Sequence, residues 1–186
     1  MPGFTHPGAF ASAIAVPRAD VNLTALPDGM DPALAASLGC RVTTAWHALT
    51  GRAGLQAGEW LAVWGTGGIG LSAMLLARAL GARVVVVDVV AEKLDFASSL
   101  GADAAVNAGD ADAIAQIHAL TNGGAHVAIE ALGIAETTRN ALLSLRNLGR
   151  MVQVGMPAGS HCNMSLPMDA SRSDWRTACS TSRWAA

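Results

Sequence analysis

The stretch that decides the fold runs from Trp60 to Gly70 and reads WLAVWGTGGIG. Its first five residues predict a buried strand, and its glycines form the pattern G-x-G-x-x-G before an apolar helix that runs to Leu80. In such a turn the first glycine makes the tight bend, the second lets the backbone approach a pyrophosphate, and the third lets the helix pack on the strand. Free amides at the helix start can then hold the phosphates.

Strands alternate with short helices on the carboxyl side of this stretch. The predicted helices end at glycines 81, 101, 123–124 and 149, because glycine takes the left-handed conformation at a helix end without penalty. This alternation predicts a parallel sheet covered on both faces, a doubly wound α/β fold. The sequence predicts five strands where the six-stranded form would have one more, and they are Trp60–Trp64, Arg83–Asp88, Ala104–Val106, His126–Glu130 and Met151–Val154.

Both ends of the chain depart from this pattern. Residues 1–25 are rich in glycine, proline and small residues, and residues 26–170 carry the regular pattern. Within the second part, Asp31-Pro32 predicts a helix start, with one helix to about Leu38 and another over 43–49. Residues 171–186 have no readable strand or helix where the sixth strand should stand, which predicts a truncation or reading-frame change near Ala170.

The composition excludes several classes of protein. The chain has 186 residues, a formal net charge of −2, 52% hydrophobic residues and 14% charged residues, which excludes intrinsic disorder. It has no basic run that would bind nucleic acid and no apolar stretch long enough to span a membrane. Three cysteines without a C-x-x-C pair argue against a disulfide framework. We therefore expect a cytoplasmic protein with neither a nucleic-acid nor a membrane partner.

Asp88 strengthens the interpretation of the glycine pattern. It ends the second predicted strand, eighteen residues past Gly70. A carboxylate there accepts hydrogen bonds from ribose hydroxyls and repels a 2′-phosphate, so the pair of motifs favours NAD over NADP. The absence of tyrosine excludes short-chain dehydrogenases, which use a tyrosine–lysine pair. Methyltransferases share the glycine-and-acid pattern and stay possible on this motif alone, as does an ordinary turn with a capping aspartate.

Further motifs flank this core. LGC at 38–40 and TT at 43–44 precede GEWLAV at 58–63, and GAD at 101–103 and VQVG at 152–155 follow Asp88. With the glycine loop, these runs resemble the zinc-dependent medium-chain alcohol dehydrogenases over roughly residues 8–169. The resemblance implies a Rossmann dinucleotide-binding domain, an NAD cofactor and a catalytic zinc that polarises the oxygen of an alcohol or aldehyde.

The resemblance also implies roles for individual residues. Cys40 matches the third ligand of the catalytic zinc, and Thr44 matches a residue beside the nicotinamide ring. The pyrophosphate loop is matched by Gly65, Gly67, Gly68, Ile69 and Gly70. Asp88 matches the ribose-binding acid, and Lys93 matches a lysine near the same ribose. The nicotinamide side is matched by the strand-end residues Ala131, Leu132, Val154 and Gly155.

The sequence also departs from the family. The first two catalytic zinc ligands and the four clustered cysteines of the structural zinc have no counterpart, and we expect them to precede Met1. Residues 1–25 resemble only the closing stretch of the catalytic domain. A catalytic zinc needs three protein ligands and an open position, which Cys40 alone does not supply. The resemblance therefore implies that this chain by itself binds NAD without zinc-dependent turnover, and that the parent enzyme is a homo-oligomer.

Two alternatives remain open at this level. Zinc-free quinone or enoyl reductases need no cysteine at position 40, although they usually carry an extra residue in the glycine loop. A non-catalytic nucleotide-binding remnant would keep the loop and Asp88 and need no metal ligands.

Overall fold

The structure is a computed structural model and describes residue 5 and residues 7–157. The chain divides between Leu38 and Gly39 into two compact units. The predicted tail over 171–186 and its missing sixth strand lie outside the described residues. No helix in the described part of the chain is long and apolar enough to cross a membrane.

The first unit contains a one-turn helix, α1 (Ala19–Asn22), and the start of α2 (Pro32–Trp46). The predicted start of α2 is confirmed: the Asp31 carboxylate accepts the amide of Ala33 at 2.9 Å, and Pro32 occupies the first helical position, where no donor is needed.

The prediction of two separate helices over 31–38 and 43–49 is wrong. α2 runs through Gly39 without a break and continues as a π-helical segment, His47–Ala53. A glycine inside a helix costs only about 1 kcal/mol relative to alanine, which is too little to end a helix by itself. The real end comes at Gly54, whose φ of +58° is the left-handed conformation that glycine accepts.

The second unit is built on one parallel sheet of five strands in the order β3-β2-β1-β4-β5. This confirms the predicted doubly wound α/β fold over the described residues. The strands are β1 (Trp60–Trp64), β2 (Arg83–Asp88), β3 (Ala104–Asn107), β4 (Ala125–Glu130) and β5 (Leu145–Gln153). The helices between them are α3 (Gly68–Ala79), α4 (Ala91–Ser99), α5 (Ala113–Leu120) and α6 (Ala135–Leu143).

Hydrophobic side chains cover both faces of the sheet. On one face Leu61 and Val63 of β1 belong to a core with Ala73 and Met74 of α3, and on the other Trp64 packs with residues of α5 and α6. β1 and β2 are therefore buried on both faces, which explains their continuous apolar runs in the sequence.

The last strand corrects a boundary. The sequence predicts that Gly149 ends a helix and that the strand begins at Met151. Instead α6 ends at Leu143 and β5 begins two residues later, so that Gly149 lies inside the strand. There the pairing with β4 jumps from Ala125–Leu145 to Val127–Arg150. Between these two pairs β5 has more residues than β4, so the extra residues of β5 have no partner on β4. Local sequence patterns do not encode this feature.

Candidate functional site

The site lies at the switch point of the sheet, where the order of the strands reverses. From β1 the chain adds β2 and β3 on one side, and then returns to add β4 and β5 on the other side. The amide of Ala131 after β4 donates to the carbonyl of Trp64 at 2.9 Å, so the loops after β1 and β4 lie side by side. Open α/β sheets bind ligands at the carboxyl ends of the strands at such a point.

Two glycines of the loop are required by the fold itself. Gly65 has a φ of +98°, and a β-carbon there would lie 2.8 Å from Cγ of Leu132. A β-carbon on Gly70 would overlap the carbonyl oxygen of Gly65. The first glycine therefore allows the tight turn, and the third allows α3 to pack against the end of β1, as the motif predicts.

Gly67 is different, because nothing among the described residues requires a glycine there. Its φ of −78° and ψ of −169° suit any residue, and no described atom lies within 4 Å of an added β-carbon. Among the described residues, no side chain caps α3, whose N-cap is Gly67, so its first amides can bind a ligand. Gly68 and Ile69 form the first helical turn beside it.

Arg41 is a functional candidate that the sequence interpretation missed. A β-carbon on Gly68 would lie 2.6 Å from Cδ and 3.0 Å from Nε of Arg41, so this cationic side chain lies against the start of α3. Arg41 is exposed, and among the described residues it forms no ion pair with a carboxylate. The available signal was its position directly after Cys40, between the matched runs at 38–40 and 43–44.

Asp88 ends β2 and is 6% exposed. Its Oδ2 accepts the amide and the hydroxyl of Thr66 at 2.8 and 2.7 Å, and its Oδ1 accepts the amide of Val90 at 3.1 Å. Burial raises the pKa of this carboxyl, but the hydrogen bonds from Thr66 and Val90 and the charge of Lys93 outweigh it and leave the pKa below its usual value of 3.8. Asp88 is therefore ionised at neutral pH, and Lys93 contributes its charge from an exposed position on α4.

Glu130 ends β4 and is completely buried. It accepts the amides of Leu132 and Gly133, each at 2.9 Å, the hydroxyl of Thr137 at 2.7 Å, and the side-chain amide of Gln153. The side chain of Glu130 thus anchors the loop that follows β4.

Cys40 and Thr44 share one face of α2, since they are four residues apart on a continuous helix. Cys40 is an exposed free thiol and Thr44 is half-buried. Within residues 7–157 no group of three or more His, Cys, Asp or Glu side chains could hold a metal ion. The described residues therefore bring the glycine loop, Thr66, Asp88 and Arg41 together, but they give Cys40 no companion ligands.

The chain matches a known protein family. The family model described as zinc-binding dehydrogenase matches residues 68–181, more than half of the chain. This match selects a dehydrogenase over a methyltransferase, the two classes that the glycine loop and Asp88 leave open.

Solved structures of alcohol dehydrogenases have the same fold. The alcohol dehydrogenase from Thermus sp. ATN1 superposes with a TM-score of 0.82 and 32% identity, over 90% of this chain and 48% of that chain. Benzyl alcohol dehydrogenase from Acinetobacter calcoaceticus gives 0.72 and 29%, over 78% and 40%. Zinc-dependent alcohol dehydrogenase 2 from Streptococcus pneumonia gives 0.73 and 29%, over 79% and 43%. The chain thus spans less than half the length of these enzymes.

Proposed function

Because this chain belongs to the zinc-binding dehydrogenase family, we propose that it is the NAD-binding portion of an alcohol dehydrogenase-like oxidoreductase. In this proposal residues 26–170 bind the dinucleotide and residues 1–25 are the tail of a catalytic domain. The substrate class is a small alcohol or aldehyde, and the complete enzyme is a cytoplasmic homo-oligomer. NAD supplies the hydride chemistry when bound, and the residues of this chain bind and orient it.

Gly67 is the observation that carries the proposal. Neither backbone conformation nor packing explains a glycine at this position, since its φ is ordinary and the space beside it is open among the described residues. A ligand that approaches the backbone closely does explain it. The second glycine of the motif has this function in dinucleotide-binding folds, so the structure fits a pyrophosphate at this loop.

The start of α3 supplies the charge that phosphates need. The first helical amides have no side-chain cap, and the helix dipole gives this end about half a positive charge. Arg41 adds a full positive charge beside Gly68. We assign the pyrophosphate to Gly65, Gly67, Gly68, Ile69 and Gly70, with Arg41 as an additional contact.

Asp88 gives the site its preference among nicotinamide coenzymes. An ionised carboxylate at the end of β2 accepts a ribose hydroxyl and repels a 2′-phosphate. Val89 and Val90 follow it, so no arginine is available there to receive that phosphate. We therefore assign the adenosine ribose to Asp88, with Lys93 nearby, and expect NAD to bind more tightly than NADP.

The nicotinamide end is assigned to the strand ends across the switch point. Ala131 and Leu132 follow β4, and the amides of Val154 and Gly155 both donate to the carbonyl of Glu130, at 2.8 and 2.9 Å. These bonds hold the loops after β4 and β5 together. Thr44 is assigned to the same end, as a catalytic residue beside the nicotinamide ring.

A catalytic zinc does not fit the residues that the structure describes. Such a site needs three protein ligands and an open position. Cys40 offers one thiolate, and no cluster within residues 7–157 supplies the others. Cys40 therefore stays a proposed single ligand, and we derive no step through the metal from this chain.

Coenzyme titration tests the proposal. We expect saturable NADH binding, measured as energy transfer from the tryptophans to the coenzyme, and weaker binding of NADPH. The variant D88A should lose at least about tenfold in NADH affinity, since it removes a charge-assisted hydrogen bond worth about 1.5–3 kcal/mol. A chain that melts cooperatively and binds neither coenzyme would show that the fold is intact and the assigned site is wrong.

A further inference from the structure

Thr66 lies between Gly65 and Gly67 in the glycine loop, and its side chain faces the protein. It is 3% exposed, although it stands in a turn that the motif leaves free to vary. Its amide and its hydroxyl donate to the same oxygen, Oδ2 of Asp88, at 2.8 and 2.7 Å. A residue of the phosphate loop thus holds the carboxylate that ends the neighbouring strand.

The acceptor capacity of Asp88 shows what this contact does. A carboxylate has about four lone-pair positions, two on each oxygen. Thr66 fills both positions on Oδ2, and the amide of Val90 takes one on Oδ1 at 3.1 Å. Among the described residues, the one position left lies on Oδ1.

We propose that Thr66 is the positioning residue that sets coenzyme selectivity, because it fixes Asp88 so that Oδ1 receives the ribose hydroxyl and the negative charge stays where a 2′-phosphate would lie. This inference rests on the proposed function, since it needs a dinucleotide at the glycine loop. It assigns the selectivity of the site to a pair of residues rather than to the acid alone.

The hydroxyl is essential to this arrangement. The terminal torsion of an aspartate is broad, so a carboxylate held by fewer donors rotates more freely. Without the hydroxyl, one position on the buried Oδ2 loses its donor, and the ionised form is less stabilised. Both effects weaken the contact with the ribose and reduce the repulsion of a 2′-phosphate.

The variants T66V, T66S and T121V separate this role from a structural one. T66V keeps the shape of the side chain and the hydrogen bond from the backbone amide to Asp88, but it removes the hydroxyl. T66S keeps the hydroxyl. Thr121 is a matched control: it is 2% exposed, its hydroxyl donates to the carbonyl of Ile117 at 2.6 Å, and it precedes the amino end of β4, away from the loop. Each chain is titrated with NADH and with NADPH.

We expect T66V to weaken NADH binding by about tenfold and NADPH binding much less. The selectivity ratio, which is the Kd for NADPH divided by the Kd for NADH, then falls by nearly the same factor. T66S should restore the ratio. T121V should lower the melting temperature and leave the ratio unchanged.

Each other outcome overturns the inference. If the wild-type chain binds NADH and T66V keeps the wild-type ratio, Thr66 does not set selectivity and the proposed function stands. If the wild-type chain does not bind NADH, both fail together. Should T66V not fold, T66A removes the hydroxyl and adds no atom, with the same expectation. If neither variant folds but T66S does, the hydroxyl serves the fold and not the coenzyme.

Discussion

Two glycines of the same loop should respond in opposite ways to one added methyl group. In G70A the new β-carbon overlaps the carbonyl oxygen of Gly65, which is backbone and moves only if α3 shifts away from β1. In G67A the β-carbon meets no described atom, and the backbone angles there suit alanine. The first change should damage the fold, and the second should damage only a ligand site.

The expected magnitudes differ clearly. Overpacking typically costs 1–3 kcal/mol, and a clash with backbone belongs at the upper end, about 3 kcal/mol. For a chain of this size that is a fall of roughly 6–12 °C in melting temperature. G67A loses a little as a helix N-cap and gains a little from a stiffer unfolded chain, so its free energy of unfolding should stay within about 1 kcal/mol of the wild type.

The assay is thermal unfolding followed by circular dichroism, with and without saturating NADH. G70A should melt early under both conditions. G67A should melt with the wild type in buffer but show none of the increase in melting temperature that bound coenzyme gives to the wild type. A G67A chain that is stabilised by NADH as strongly as the wild type would refute the assignment of the open space to a phosphate.

Two further predictions concern stability. Nδ1 of His126 accepts the amide of Trp60 at 3.0 Å, and the guanidinium of Arg146 lies against Nε2, so a protonated ring would lose its acceptor at Nδ1 and meet a positive charge. Burial and the charges of Arg146 and Arg150 lower the pKa of His126 below 6.5, against the opposing charge of Glu59. The unfolded chain therefore binds the proton more readily, and the free energy of unfolding should fall as the pH drops below 6.5. Urea denaturation at a series of pH values measures this fall, which should be smaller in H126N. G39A should stabilise the chain by up to about 1 kcal/mol in the same assay, because Gly39 lies inside α2 with no described atom in the way, and a lower stability would contradict this.

Features that depend on local chemistry could be predicted from the sequence. The runs at β1 and β2 are apolar throughout because both faces are covered, and the structure confirms their ends at Trp64 and Asp88. The glycine pattern depends on sterics between close neighbours, so its fold-related part at Gly65 and Gly70 follows from the motif. These elements suffice for the fold class and for the position of the switch point.

Features that depend on the sheet as a whole could not be predicted. To predict the irregular pairing of β5 one needs its register with β4, and Gly149 by itself suggests a helix end. The bond between Thr66 and Asp88 joins residues that are 22 positions apart, and nothing local marks the threonine as its donor. Likewise, the contact between Arg41 and Gly68 could not be predicted while α2 was divided into two helices.

Two buried carboxylates show why acceptor capacity, and not burial, separates a binding residue from a structural one. Glu130 and Asp88 each end a strand at the same edge of the sheet, and each has backbone donors. Glu130 is 0% exposed, and donors from four residues occupy its two oxygens, so it has no capacity for a ligand. Asp88 keeps one position on Oδ1 and a little exposure, with its other oxygen fully taken by Thr66. Because an unfilled acceptor on a buried carboxylate is costly, that position gains most when a ligand hydroxyl fills it.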